Sequence, residues 1–364
     1  MMKRYVDLQA GFVSMFDDKT GFYARTGELV FENGKMIDTG VDPFRASFPQ
    51  LIDVGIMGHC THGNSGLCKV GCYQGYKNNP NMTLDNFKKI VDECAINGCF
   101  QLALGGRGDV DQHENFEEIV KYCRENGVVP NFTSSGLGFT PEIAEICKKY
   151  CGAVAISWYR SPYTLNAIQM LLDAGVTTNI HYVLGNDSID EAIERLQNND
   201  FPKGINAVVF LLHKNVGLGK TANILNVNDP KVKQFFELVD SVNENGSIDF
   251  KIGFDSCSIP GILNFTKNIS RDSLDFCEGG RFSMYISADM VAMPCSFDNQ
   301  ELRWGYDMSN GGNIKMAWES EQFNEFRSHF KTSCKGCPDR DCCMGSCPIR
   351  REIVLCGRDC KDLQ

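Results

Sequence analysis

The chain has 364 residues, of which 43% are hydrophobic and 23% are charged. This ordinary globular composition allows one large domain or two modest ones, and it excludes disordered and collagen-like chains. The 36 basic and 46 acidic residues give a net charge of −10 with no basic cluster, so we expect neither nucleic acid nor a membrane as a partner. No apolar run approaches the roughly 18 residues of a membrane span, and residues 1–12 lack the apolar core of a signal peptide. We therefore expect a cytoplasmic protein.

Residues 1–50 are predicted to form an N-terminal β-hairpin segment, because turn signals such as Thr26-Gly27 and Asn33-Gly34 separate short strand-like runs. From residue 51 onwards, apolar runs typical of strands alternate with amphipathic stretches typical of helices. The predicted strands are Leu51–Ile56, Phe100–Leu104, Val128–Phe132, Ala153–Ile156, Thr177–Val183, Ala207–Leu212 and Phe250–Phe254. The predicted helices are Leu84–Asn97, Phe116–Asn126, Pro141–Tyr150, Leu165–Ala174, Ser188–Asn198 and Pro230–Asn243.

This alternation predicts an α/β fold with parallel strands joined by right-handed crossovers. The number of repeats favours a partial (β/α)6 barrel, similar to a TIM barrel, over an open sheet. In such barrels the functional residues lie at the carboxyl ends of the strands. The alternation stops near residue 256, where a cysteine-rich tail begins. We therefore predict a hairpin segment at 1–50, a barrel at 51–256 and a separate domain at 257–364.

Cysteine is the anomaly in the composition. Of the 18 cysteines, three lie within residues 60–72, five within 94–151 and ten within 257–360. A long chain without an export signal is not a disulfide-stapled secreted domain, so the two dense groups indicate metal. The scattered cysteines are interpreted as small buried hydrophobic residues: Cys94, Cys99, Cys123, Cys147 and Cys151.

The first dense group lies on the loop that follows the first barrel strand. It contains Cys60, Cys68 and Cys72, separated by seven and three residues. A structural zinc ion takes four ligands, so zinc would need His59 or His62 as well. Three thiolates on a [4Fe–4S] cluster would instead leave one iron open to a small molecule.

This loop resembles that of the radical S-adenosylmethionine enzymes, in which three cysteines after the first strand of a partial barrel hold a [4Fe–4S] cluster. The resemblance implies that Cys60, Cys68 and Cys72 hold this cluster and that S-adenosylmethionine binds its open iron. The spacing departs from the family's three and two residues, and Gly71 replaces the usual aromatic residue before the third cysteine. Tyr73 is the candidate for the missing contact near the adenine.

Three further strand ends match motifs of the same family. Gly105 and Gly106 follow the second strand and align with its glycine-rich motif, although Arg107 replaces the acid of that motif. Ser135 follows the third strand and Ser157 ends the fourth, both as implied contacts of the cofactor. Such short motifs are weak signals alone, but their order at successive strand ends is a much stronger one.

The second dense group resembles the SPASM extension that radical S-adenosylmethionine enzymes carry when they modify peptides or proteins. Cys277 and Cys295 flank a predicted hairpin at Phe282–Pro294, and the run Cys-x2-Cys-x5-Cys-x3-Cys begins at Cys334. Met290 stands where the family places a glycine, which puts the hairpin turn in question. Paired cysteines also occur in zinc knuckles, so a structural zinc site is the alternative.

The SPASM resemblance implies two auxiliary [4Fe–4S] clusters, three in the whole chain. The nearer would be held by Cys277, Cys295 and Cys347, with Cys257 as the best candidate for the fourth ligand. Without Cys257, that cluster would have an open iron able to bind a substrate thiolate. The farther cluster would be held by the following residues, with Cys360 preferred to Cys356 as the last: Cys334, Cys337, Cys343 and Cys360.

The resemblance also implies the reaction: reductive cleavage of S-adenosylmethionine gives a 5′-deoxyadenosyl radical, which takes a hydrogen atom from the substrate. The auxiliary clusters favour a net oxidation or crosslink, and the substrate is expected to be a peptide or protein, as in maturases of ribosomally made peptides. A flavodoxin or ferredoxin would supply electrons. Asp255 and Tyr159 are the candidate catalytic residues.

Two alternatives stay open at this point. One keeps the same chemistry but acts as a sulfatase-maturating enzyme or as a dehydrogenase of small molecules. The other is a zinc-stabilised interaction protein on a barrel scaffold.

Overall fold

The computed structural model describes residues 1–66, 68, 72–75, 78–298, 301–331, 334, 336–350 and 352–357. The N-terminal segment begins with an antiparallel sheet of β1 (Met2–Asp7), β2 (Phe12–Asp17) and β3 (Tyr23–Arg25). A separate hairpin follows, made by β4 (Leu29–Glu32) and β5 (Lys35–Asp38). The segment therefore contains antiparallel hairpins, and its boundary at residue 50 stays a prediction.

The predicted alternation of strands and helices is also confirmed. The strands are β6 (Leu51–Met57), β7 (Gln101–Gly106), β8 (Val129–Ser134), β9 (Val154–Ser157), β10 (Thr178–Leu184), β11 (Ala207–Leu212) and β12 (Lys251–Phe254). A short α1 (Thr61–Asn64) and six longer helices connect them: α2 (Leu84–Ile96), α3 (Phe116–Glu125), α4 (Pro141–Tyr150), α5 (Pro162–Asp173), α6 (Ile189–Asn198) and α7 (Pro230–Asn245). Each strand pairs in parallel with the next one along the chain, as a partial barrel requires.

The helices begin where capping residues precede them. The side chains of Thr83, Thr140 and Ser161 accept hydrogen bonds from backbone N–H groups in the first turns of α2, α4 and α5. Pro162 occupies the first turn of α5, where a missing N–H costs nothing, so this helix starts before the predicted Leu165.

The two faces of the barrel sheet differ in polarity. On β6, Ile52, Val54 and Ile56 are fully buried, whereas Asp53 lies on the opposite face because strand side chains alternate. Thr133 of β8 and His181 of β10 meet across β9, with 3.2 Å between Oγ1 and Nδ1. Burial lowers the pKa of His181 to about 4 and raises that of Asp53 to about 7, with the charge of Glu278 adding to the latter. The barrel interior is therefore a polar site.

The tail joins the same sheet. β13 (Ser283–Ile286) pairs in parallel with β6, and β14 (Val291–Met293) and β15 (Tyr306–Asp307) extend the sheet with antiparallel pairings. The remaining helices are α8 (Ile259–Phe265), α9 (Ile314–Trp318), α10 (Glu321–Ser328) and α11 (Arg340–Cys343). In the part of the chain that the structure describes, every helix is too short or too polar to cross a membrane.

The hairpin predicted between Cys277 and Cys295 is present. Met290 adopts a left-handed backbone with a φ of 62°, a conformation that glycine adopts most readily. The turn therefore forms in spite of the substitution, at a conformational cost of about 1–2 kcal/mol.

Candidate active site and cysteine groups

The first cysteine group sits directly beyond the carboxyl end of β6. The Sγ atom of Cys60 accepts the backbone N–H of Gly63 at 3.1 Å, so this cysteine caps α1. The Sγ atom of Cys72 accepts the N–H of Gln74 at 3.4 Å. Burial raises the pKa of both thiols, and the negative charge of Cys68 adds to the shift of each. The three thiols therefore share one region at the barrel mouth.

The glycine-rich loop after β7 packs against this group. Gly108 has a φ of 70°, and a Cβ there would lie 2.2 Å from the carbonyl oxygen of His59. A Cβ on Gly106 would lie 2.7 Å from the hydroxyl of Tyr285, whereas a Cβ on Gly105 would meet nothing within 4 Å. Gly108 thus allows close packing of the cysteine loop and Gly106 that of Tyr285, while Gly105 faces open space that a ligand can enter.

The ends of β8 and β9 supply the predicted serines. Both the backbone N–H and the hydroxyl of Ser135 donate to the carboxylate of Asp109, at 2.6 and 2.7 Å. Burial raises the pKa of Asp109, although these two hydrogen bonds oppose the shift. Ser157 is the last residue of β9 and is half-buried. Ser135 therefore fixes the loop after β7, and the expected cofactor contacts of both serines stay predictions.

Tyr159 lies beside the first cysteine group. Its ring centroid is 4.7 Å from that of His62, whose Nε2 is 2.8 Å from the hydroxyl of Tyr163. Burial, followed by the charges of Cys68 and Cys72, raises the pKa of Tyr159 well above its ordinary value. The hydroxyl is thus held in its neutral form next to the thiols.

Four cysteines of the tail come together around Gly279. The thiol of Cys347, followed by burial, raises the pKa of Cys257. Burial raises the pKa of Cys277 to about 12, with the charge of Cys257 adding to it, and both charges raise the pKa of Cys295. A Cβ on Gly279 would lie 3.5 Å from the Sγ atom of Cys277 and 3.7 Å from the Cβ of Cys295. Four residues thus form the nearer cysteine group: Cys257, Cys277, Cys295 and Cys347.

A second set of tail cysteines lines a cavity of about 460 Å³, bounded on one side by α8. Four thiols line it, and they form the farther cysteine group: Cys334, Cys337, Cys343 and Cys356. The charges of Cys356 and Cys337 add to the effect of burial in raising the pKa of Cys343. Cys342 is not among the described residues that line the cavity, and the predicted ligand Cys360 lies outside the described residues.

A single metal ion and an iron–sulfur cluster place different demands on these groups. Among the described residues, no three histidine, cysteine or acidic side chains converge closely enough to hold one metal ion. A zinc ion needs its thiolates at about 2.3 Å, whereas a [4Fe–4S] cluster separates its four thiolates by a body of irons and sulfides.

A family model described as an iron–sulfur cluster-binding domain, SPASM, matches residues 277–338. The chain carries a SPASM domain. Mycofactocin maturase MftC of Mycolicibacterium smegmatis is 24% identical over 318 residues, which are 77% of this chain and 75% of that protein. The predicted resemblance to radical S-adenosylmethionine enzymes with a C-terminal SPASM domain is confirmed.

Solved structures support the same fold. SuiB of Streptococcus suis, bound to S-adenosylmethionine, has a TM-score of 0.64 at 14% identity, over 83% of this chain and 74% of that one. SuiB has also been solved with its precursor peptide SuiA. The protein anSMEcpe with bound S-adenosylmethionine has a TM-score of 0.57 at 14% identity, over 86% of this chain and 88% of that one.

Tyr73 connects the first cysteine group to the SPASM domain. Its ring centroid lies 4.6 Å from that of Phe297, two residues after Cys295. Burial raises the pKa of Tyr73 to about 12. The N–H of Leu218 donates to the carbonyl of Cys72 at 2.9 Å, which ties the loop after β11 to the same point. The contact expected between Tyr73 and an adenine stays a prediction.

Asp255 is held by three donors where β12 meets the SPASM domain. It accepts Lys214 Nζ at 2.6 Å, the N–H of Leu212 at 3.2 Å and the hydroxyl of Ser258 at 3.0 Å. These three donors hold the carboxylate in place, and its catalytic role stays a prediction. Sequence reasoning missed Lys214, because an isolated lysine after a strand carries no motif.

Proposed function

We propose that the chain is a radical S-adenosylmethionine enzyme that oxidatively modifies or crosslinks a peptide or protein. The observation that carries this proposal is the placement of three partly buried thiols, from Cys60, Cys68 and Cys72, in one region at the mouth of a barrel with a polar interior. These three cysteines would hold a [4Fe–4S] cluster, whose chemistry when bound would be the one-electron reductive cleavage of S-adenosylmethionine to methionine and a 5′-deoxyadenosyl radical.

The residues around this group have binding and positioning roles. Gly105 leaves open space for the methionine part of the cofactor, and Ser157 lies at the next strand end but one. Asp109 and Ser135 hold the glycine-rich loop in place. Tyr159 presents a neutral hydroxyl beside the thiols, suited to a hydrogen bond with cofactor or substrate.

The nearer cysteine group would hold the first auxiliary cluster with four thiolates. The interaction of Cys257 with the neighbouring thiol of Cys347 supports Cys257 as the fourth ligand. With all four positions taken, this cluster would exchange electrons with the substrate radical and would bind no substrate thiolate. The farther group would hold the second, with Cys356 favoured by its place on the cavity wall and Cys360 as the alternative. The chain would then carry three clusters.

The partners follow from the same chemistry. A maturase among the relatives and a solved neighbour with a bound precursor peptide support a peptide substrate. A flavodoxin or ferredoxin would reduce the first cluster, and a cytoplasmic location is part of the same proposal.

Anaerobic reconstitution with iron and sulfide tests this function. We expect about twelve irons per chain, four for each of three clusters, and release of 5′-deoxyadenosine from S-adenosylmethionine after reduction. Mass spectrometry of a candidate precursor peptide should then show loss of hydrogen atoms. A colourless protein with stoichiometric zinc and no sulfide would overturn the proposal. The preference for Cys356 would fail if the Cys360→Ala variant lost iron and the Cys356→Ala variant did not.

A further inference from the structure

Lys214 is a buried cation between the barrel and the SPASM domain. Only 4% of the residue is exposed, and it follows β11 at the carboxyl end of the barrel. Its Nζ donates to the carbonyl of Leu212 at 2.8 Å and to Asp255 at 2.6 Å, and it lies 4.4 Å from the ring centroid of Phe297. Burial disfavours the ammonium form, but Asp255 and nearby thiols outweigh this and raise the pKa of Lys214. The side chain is therefore charged and held in one position.

The charge of Lys214 acts on the nearer cysteine group. Its partner Asp255 lies two residues before Cys257, and the ring of Phe297 beside its Nζ lies two residues after Cys295. These contacts place the positive charge of Lys214 next to the nearer cysteine group, with Asp255 as the opposing charge.

We propose that Lys214 is a positioning residue that raises the reduction potential of the cluster held by the nearer cysteine group. This inference rests on the proposed function. Net charge and hydrogen bonding around a cluster set its potential, and a fixed buried cation stabilises the reduced form, which carries one more electron. Lys214 would thus make this cluster a better acceptor for the electron that leaves the substrate radical. Asp255 limits the effect, because it offsets part of the positive charge.

Redox titration of full-length reconstituted protein, followed by electron paramagnetic resonance, tests the inference. The first cluster is recognised because S-adenosylmethionine changes its signal, so the titration follows the insensitive signals. Lys214→Met should lower the ratio of reduced to oxidised nearer cluster at least tenfold at a fixed potential, which is about 59 mV for one electron. Asp255→Asn should shift the potential in the opposite direction, and Lys214→Arg should stay close to wild type.

The exposed pair of Lys203 and Asp249, 3.1 Å apart, provides the matched control, since Lys203→Met should leave every potential unchanged. Unchanged potentials in both Lys214→Met and Asp255→Asn, or shifts of the same sign, would overturn the inference. Loss of the nearer cluster from both variants would make the pair a folding element and would equally contradict it. If the wild-type protein holds no clusters, the proposed function fails instead, and iron and sulfide analysis separates the two cases.

Discussion

The first cysteine group and the nearer cysteine group reach similar arrangements by different routes. The first is local: Cys60, Cys68 and Cys72 lie on one loop, and Cys60 caps the helix that follows it. The nearer group gathers cysteines spread from Cys257 to Cys347. A local group needs only the loop at the end of one strand. A dispersed group depends on the folding of all the chain between its members.

The barrel and the SPASM domain also differ in how their apolar side chains are packed. The first group rests on the barrel, whose strands and helices share one continuous buried core. The SPASM domain is anchored to that core by Trp318, whose Nε1 donates to the carbonyl of Ala46 at 2.9 Å, and by Phe323 and Phe326. Beyond α10, few large apolar side chains are buried among the described residues, and Ile353 and Leu355 are two of them. Metal binding should therefore contribute more to folding at the end of the chain than in the barrel.

The largest effect is expected from the local group. Cys60→Ala should remove the first cluster, reduce the iron content by about four per chain and bring release of 5′-deoxyadenosine below detection. The SPASM domain should keep its iron, because its ligands do not depend on this loop. Cys99→Ala is the matched control, because Cys99 is a buried thiol that donates a hydrogen bond to the carbonyl of Gln101. Retained cleavage activity in Cys60→Ala would refute the assignment of the first group.

The dispersed group should respond differently. Cys257→Ala should also cost about four irons per chain, but it should leave cleavage of S-adenosylmethionine largely intact and stop the oxidation of substrate. Cys342→Ala should leave both unchanged. If Cys257→Ala kept its full iron content, the cluster would have three protein ligands. This result would support the alternative in which an open iron binds a substrate thiolate.

An intermediate effect is expected where the barrel supports the first group. Gly108→Ala would place a Cβ 2.2 Å from the carbonyl of His59, so the cysteine loop must move, and we expect about a tenfold loss of cleavage activity with wild-type iron in the SPASM domain. Gly246 has a similar φ of 59° with nothing near its Cβ. Gly246→Ala therefore carries the same backbone cost of about 1–2 kcal/mol without the clash. Equal activities in the two variants would show that the contact with His59 does not position the loop.

The contrast between the two groups also explains what the sequence could predict. The barrel strands were predictable because their apolar runs are bounded by amphipathic helices, and Cys60, Cys68 and Cys72 were recognisable because they follow the first strand. The grouping of Cys257 with Cys347 came from the resemblance to the SPASM extension, since spacing along the chain does not by itself reveal which thiols meet. The pairing of β13 with β6, which places the tail in the barrel sheet, likewise depends on a contact between distant segments.

Single charged residues were the hardest to foresee. Lys214 and Asp255 lie 41 positions apart and meet only because β11 and β12 are neighbours. Arg107 was noticed as a departure from a motif, and the structure shows its guanidinium donating to the carbonyl of Gln74 at 2.9 Å. Such contacts follow from tertiary packing, which periodicity does not encode.

The smallest expected effect is a pH dependence of the free energy of unfolding that arises in the barrel and not in the SPASM domain. The folded-state pKa of His181 is about 4, below its ordinary value of 6.5, because the barrel interior excludes water from it. Between these values the unfolded chain binds a proton that the folded chain does not, so the contribution of His181 is present above pH 6.5 and is lost as the pH falls towards 4.

Urea unfolding at pH 7.5 and pH 5, followed by fluorescence, measures this contribution. The free energy of unfolding should fall on acidification by on the order of 2 kcal/mol more in the wild type than in His181→Gln. Equal losses in the two proteins would contradict the assignment of a water-excluded histidine. Because acid damage to the clusters acts on both proteins alike, the difference between them isolates the barrel interior from the metal-dependent part of the chain.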